Sequence, residues 1–329
     1  MKIKRLSESQ KERLTGIIVI LLGFAVLAGQ IAETQSGLLR DVSHVLRMYI
    51  DSIQYMIAML ILNFILVIAA IRKYEHYPNP FLDTLKWYFA ILMISDFLVM
   101  VLRIIQKNNL VPLKGGMVVG LGQTYMMLAS VRGIIELTLT SAAVFVLVYG
   151  LTRYAPVGSV SPGNVPENKI LAAKPPVTTT RTILGLILFH WLTAVPVNLS
   201  AIITSRGIYA WSLGLSQAAQ VGITALIYWV IKEYHQRYRT RFFDYLNRYY
   251  GLNLLLAGLI FTYSMGSFGI IQRFPAGEIE LMGGFGQFVF YITRLAFIPM
   301  NYFIYRAIIG YEEPQKQASG KGPHWIKHP

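Results

Sequence analysis

Residues 82–105 read LDTLKWYFAILMISDFLVMVLRII, a run of apolar side chains long enough to cross the roughly 30 Å hydrocarbon layer as a helix at about 1.5 Å per residue. The run is too long for an ordinary strand. It also lacks the short alternating pattern of a membrane barrel, so a helix is the only plausible span. One carboxylate, Asp96, sits near its middle.

Working outward, similar runs recur from end to end. The spans read as about 15–32, 49–72, 82–105, 117–150, 182–204, 208–231, 247–271 and 281–308. The expected fold is therefore all-α: a polytopic membrane helix bundle of about eight transmembrane helices. Composition agrees, because only 14% of the 329 residues are charged and 54% are hydrophobic. A soluble domain carries about a quarter charged residues, so much of this surface is built to avoid water. The whole chain, 1–329, reads as a single integral membrane domain with no room for a soluble one.

The net charge is +14. In a soluble chain that would point to nucleic acid, but its distribution points to topology. With the N-terminus inside, inner segments hold 21 Lys and Arg and outer segments 7, while Arg132 and Arg294 lie within spans. That asymmetry predicts a multi-pass protein with both termini cytoplasmic, membrane lipids as partners and no nucleic acid. The stretch Lys232–Arg241, with Arg237 and Arg239, is its densest basic element. It reads first as an anchor on anionic headgroups and second as a docking site for a partner.

The first span follows Lys2, Lys4, Arg5, Lys11 and Arg13, and Gln30-Ile31-Ala32-Glu33 makes a poor cleavage site, so it reads as a retained anchor. Residues 1–48 then form an anchor helix and outer loop, and 49–311 a seven-helix unit. Residues 154–181, with Pro156, Pro162, Pro166, Pro175 and Pro176, form an extended cytoplasmic loop, and 312–329 a polar tail.

Ionisable groups deep in a bilayer are expensive and carry most of the functional information. The candidates for ligand binding or charge relay are Asp96, Arg132, Glu136, His190, Tyr263 and Arg294. Arg132 and Glu136 are spaced i, i+4 and share a helix face, which allows them to pair. A lone His190 reads more readily as a hydrogen-bonded packing residue than as a ligand.

Catalytic patterns are missing. The chain has no cysteine, and its histidines do not form bis-histidine pairs on facing spans, which argues against haem. No metal cluster, nucleophile elbow or Walker loop is present, so nothing reads as catalytic or metal-binding. The aromatic pairs Trp87 and Tyr88, Tyr228 and Trp229, and Tyr249 and Tyr250 read mainly as interfacial belts.

Seven spans that begin outside and end inside, preceded by one extra helix, resemble the microbial rhodopsins. Arg132, Glu136 and Thr140 are similar to the Arg–carboxylate–Thr pattern of that family's third helix, with the Arg one position too far away. Tyr263-Ser264-Met265-Gly266 resembles its sixth-helix Tyr-Pro-x-Gly motif without the proline. Counting from Tyr263 places Arg294 where the family carries its retinal lysine, with Phe297 and Arg306-Ala307-Ile308 following in similar positions. The resemblance implies a rhodopsin-like shell. Arginine forms no retinal Schiff base, and the last span has no lysine, so covalent retinal is not expected. Bound lipid, quinone or carotenoid stay open.

Three functions compete at this stage. One is a non-catalytic heptahelical sensor or ligand-binding protein with a charged mid-membrane pocket. Another is a membrane-anchoring subunit of a larger respiratory or photosynthetic complex, contributing a lipid or quinone site. The third is a proton-coupled transporter.

Overall fold

The computed structural model describes residues 7–36, 42–78, 80–108, 123–153, 177–199, 206–238, 240–273 and 279–311, with some side chains near helix ends and in 264–294 excluded. Every described element is a helix: α1 (Glu8–Ser36), α2 (Val42–His76), α3 (Pro80–Asn108), α4 (Gln123–Arg153), α5 (Val177–Asn198), α6 (Arg206–Tyr238), α7 (Arg241–Arg273) and α8 (Ile279–Ile309). Five of them contain described stretches long and apolar enough to cross a membrane: Met56–His76, Phe81–Gln106, Met127–Leu151, Thr179–Asn198 and Trp211–Gln236. Leu295–Ile309 in α8 is a shorter apolar stretch.

Local chemistry sets the helix starts. Ser7 and Gln10 form a reciprocal capping box on α1: the Ser7 hydroxyl accepts from the Gln10 amide at 3.3 Å, and Gln10 Oε1 accepts from the Ser7 amide at 3.0 Å. Thr240 caps α7 by accepting from the Phe243 amide at 3.4 Å. Pro80 and Asp83 open α3, where a missing amide and a negative charge are both favoured. The proline-rich connection, expected to reach 181, stops earlier, because Val177–Arg181 already forms the first turn of α5. Pro175 and Pro176 explain the boundary, since proline lacks the amide donor a helix interior uses and fits best just before or at a helix start.

Consecutive helices pack against one another around the bundle, and α8 closes the ring against both α1 and α2. The outer surface is apolar: Leu21, Leu188 and Leu255 are 60%, 60% and 67% exposed. A surface of that kind matches lipid and would associate in water.

Among the described residues, Phe81, Phe242, Phe243, Ile308 and Tyr311 are large side chains that are fully buried, at the end where α3 and α7 begin and α2, α4, α6 and α8 finish. Phe242 is the centre of an aromatic plug there, with its ring 5.5 Å from Phe81, 5.1 Å from Phe243 and 5.2 Å from Tyr311, all near-perpendicular. Such edge-to-face pairs add about 0.5–1.5 kcal/mol each beyond burial. Tyr234 Oη donates to the Leu151 carbonyl at 2.8 Å. That carbonyl is among the last four of α4, which have no partner within their own helix.

Two glycines permit close approach of helices in place of side-chain interdigitation. A Cβ on Gly150 would strike Thr84 Oγ1 and lie 2.8 Å from Thr84 Cβ, so α3 and α4 could not meet as they do. A Cβ on Gly133 would strike Asn198 Oδ1 and lie 2.9 Å from Asn198 Cγ, so the Asn198 amide would have to move from its place between α4 and α5.

Candidate functional site

Five helices, α3 to α7, surround a cavity of about 220 Å³ just beyond the aromatic plug. Its lining residues lie about eight to eighteen positions from the helix ends at the plug, roughly 12–27 Å along the helix axes and so around mid-depth. Ile187, Ile223 and Ile227 give it apolar walls. Tyr88, His190, Thr224, Tyr249 and Asn253 are among its polar lining, and Thr140 and Gln220, also in the wall, are exposed and connect it to the surface.

Each polar group is positioned by a partner. Tyr88 on α3 and Tyr249 on α7 share a side-chain hydrogen bond, which closes the five-helix ring across the cavity. His190 Nδ1 lies 3.0 Å from the Ser216 carbonyl and 3.1 Å from its hydroxyl. A carbonyl only accepts, so Nδ1 carries the proton and Nε2 of the neutral ring is left as an acceptor. Trp191, the next residue, donates to Thr138 Oγ1 at 3.0 Å and fixes α5 against α4. The result is a small apolar chamber carrying convergent hydroxyl, amide and imidazole groups. It can hold an amphipathic molecule by hydrogen bonds, and among the described residues it includes no metal-ligand cluster.

The sequence candidates do not converge on this chamber. Of the six, only His190 lines it. Asp96 sits on the α2–α3 seam, where Asn63 Nδ2 donates to its Oδ2 at 2.6 Å. Arg132 reaches from α4 to α3 and donates to Gln106 Oε1 at 3.0 Å. Glu136, one turn along α4, is exposed on the bundle perimeter yet close enough to Asp96 for the two carboxylates to interact. Tyr263 is half-buried on α7, outside the cavity wall. Arg294 belongs to α8, with its side chain outside the described residues.

In the basic stretch, Lys232 and Arg241 are exposed. Arg237 is helical with its side chain outside the described residues, and Arg239 lies outside them altogether.

Sequence reasoning missed the tyrosines. Tyr88, Tyr249 and Tyr250 were expected in the interfacial belt, but all three turn into the cavity, and Tyr250 is only 5% exposed. Their neighbour Trp87 is 58% exposed, as a belt residue should be. A signal was present: Tyr249-Tyr250-x-x-Asn253 places polar groups on one helical face inside an otherwise apolar run. No family model, curated protein or solved structure matches the chain.

Proposed function

We propose that this chain is a non-catalytic, ligand-binding membrane protein of the heptahelical kind, with one added N-terminal helix, eight spans and both ends in the cytoplasm. The supporting observation is the mid-depth chamber, where His190, Tyr88, Tyr249 and Asn253 converge among isoleucines. Its ligand is a single-ring amphiphile bearing hydrogen-bonding oxygens. Size sets that limit: an apolar cavity of about 150 Å³ holds a benzene ring, and 220 Å³ is only modestly larger. An extended carotenoid or retinal does not fit, whereas a quinone or phenol ring does. Binding at the α3–α7 closure would bias how α3 and α7 meet at the aromatic plug, and so pass a signal to the loops beyond it.

The test is a thermal-shift series on the full chain in nanodiscs, with duroquinone, simple phenols and indole as probes. At least one should raise the melting temperature, and His190→Ala and Asn253→Leu should each remove the rise. If no probe moves the wild type, or His190→Ala leaves the shift intact, the chamber is not a ligand site.

A second reading, a subunit of a larger membrane complex, draws on Glu136. A carboxylate exposed on a mid-span perimeter is costly in lipid and is best covered by a polar group from another helix. Purification in mild detergent decides: a stable lone monomer, with Glu136→Gln behaving as wild type, counts against it.

A further inference from the structure

The end of the bundle where α1 begins and α2 and α8 finish holds a second recess of about 460 Å³, which shares no lining residue with the central chamber. Its rim carries three cations, Lys11 from α1 and Arg72 and Lys73 from α2, against one carboxylate, Glu12. His76 joins them. Its Nδ1 lies 2.7 Å from the Arg72 carbonyl and donates to it, which holds the ring at the rim.

Tyr305 Oη donates to the Glu12 carbonyl at 3.1 Å, pinning α1 against α8 to form one wall. Below the rim the lining turns apolar, with Ile65, Ile68 and Ala69 of α2. Ile65 lies seven residues before Arg72, so the recess descends about 10 Å along the helix. The adjoining Ile71 is 39% exposed on the outer, lipid-facing surface.

A positively charged mouth over an apolar trough, opening at the depth where headgroups give way to acyl chains, selects an amphiphile with an anionic head. We propose that this recess binds the phosphate headgroup of an anionic phospholipid, with the start of an acyl chain lying over Ile65, Ile68 and Ala69. A free phosphate ion would share the head contacts and make no use of the trough.

Native mass spectrometry of the full chain, offered phosphatidylglycerol and phosphatidylcholine of equal chain length, tests this. The wild type should retain phosphatidylglycerol preferentially. Arg72→Gln with Lys73→Gln should cut that preference by about fivefold or more, the effect of losing at least one juxtamembrane basic residue. Arg181→Gln with Arg248→Gln, which removes two exposed charges outside the recess, should leave it unchanged. Ala69→Phe keeps every charge but fills the trough, and should also lose the lipid; it decides the matter if the double variant does not fold.

Millimolar inorganic phosphate should not displace the lipid. Displacement would reassign the recess to a free anion and overturn the proposal. Equal retention of both lipids by the wild type would overturn it too, as would an unchanged preference in Ala69→Phe or an equal loss in the Arg181/Arg248 control.

Discussion

Asn63 Nδ2 donates a 2.6 Å hydrogen bond to Asp96 Oδ2, joining α2 to α3 near the middle of both helices. Asn63 is buried and Asp96 partly so. The bond explains how the bundle tolerates a carboxylate there. A buried acceptor held by a donor is neutral or favourable, and the same acceptor without its donor carries the full cost of lost hydration.

Removing the donor should therefore hurt more than neutralising the acceptor. Asn63→Leu is expected to destabilise by about 1.5–3 kcal/mol, the range for hydrogen bonds to charged groups. Asp96→Asn keeps an amide oxygen in place and should cost less than half as much. Unfolding titrations in mixed micelles read both values. Equal losses would mean that the bond contributes nothing specific.

The two close helix approaches predict a contrast between glycines. Gly150→Ala has no room against Thr84 and should cost about 1–3 kcal/mol, the usual range for overpacking. Gly258, on α7, has nothing within 4 Å of where a Cβ would stand. Gly258→Ala should be neutral or stabilise by up to about 1 kcal/mol through higher helix propensity. Melting temperatures of the two variants in the same nanodisc make the comparison.

Tyr234→Phe removes the hydroxyl that satisfies the Leu151 carbonyl at the end of α4. The expected loss is about 1 kcal/mol, with faster amide exchange in the last turn of α4 and little change in α2. Hydrogen exchange followed by mass spectrometry separates these regions. Uniform acceleration across the bundle would show that the bond acts globally and not as a local cap.

Filling the chamber should separate stability from binding. Ser141 lines the cavity, and Ser141→Leu places an apolar side chain in it. Stability should hold or rise by about 1 kcal/mol, as cavity-filling changes commonly do, while the duroquinone-dependent thermal shift disappears. A variant that still responds to duroquinone would place its binding elsewhere.

Much of the helical framework is legible in the one-dimensional pattern. Residues 82–105 are apolar almost throughout, and α3 covers them from Pro80 to Asn108. The start of α5 was less plain: the loop was expected to reach 181, although Pro175-Pro176 stands directly before the helix start at Val177. The site was less legible. Asp96, Arg132 and Glu136 stand out because lipid excludes charge, yet the charge rule says only that such groups need partners. Asp96 and Arg132 find theirs in Asn63 and Gln106, neutral amides that no charge count highlights.

By itself, the sequence determined that the chain is helical and apolar enough to pass a membrane several times, because hydropathy and length are additive along a single helix. Which residues meet was decided only in three dimensions. A membrane helix is apolar nearly all round and has no polar stripe to mark its outer face, so Trp87 and Tyr88 look alike in one dimension. They differ by about 100° around α3. That rotation, set by Gly150 admitting Thr84 and by α7 bringing Tyr249 opposite, leaves Trp87 facing outward and turns Tyr88 into the chamber.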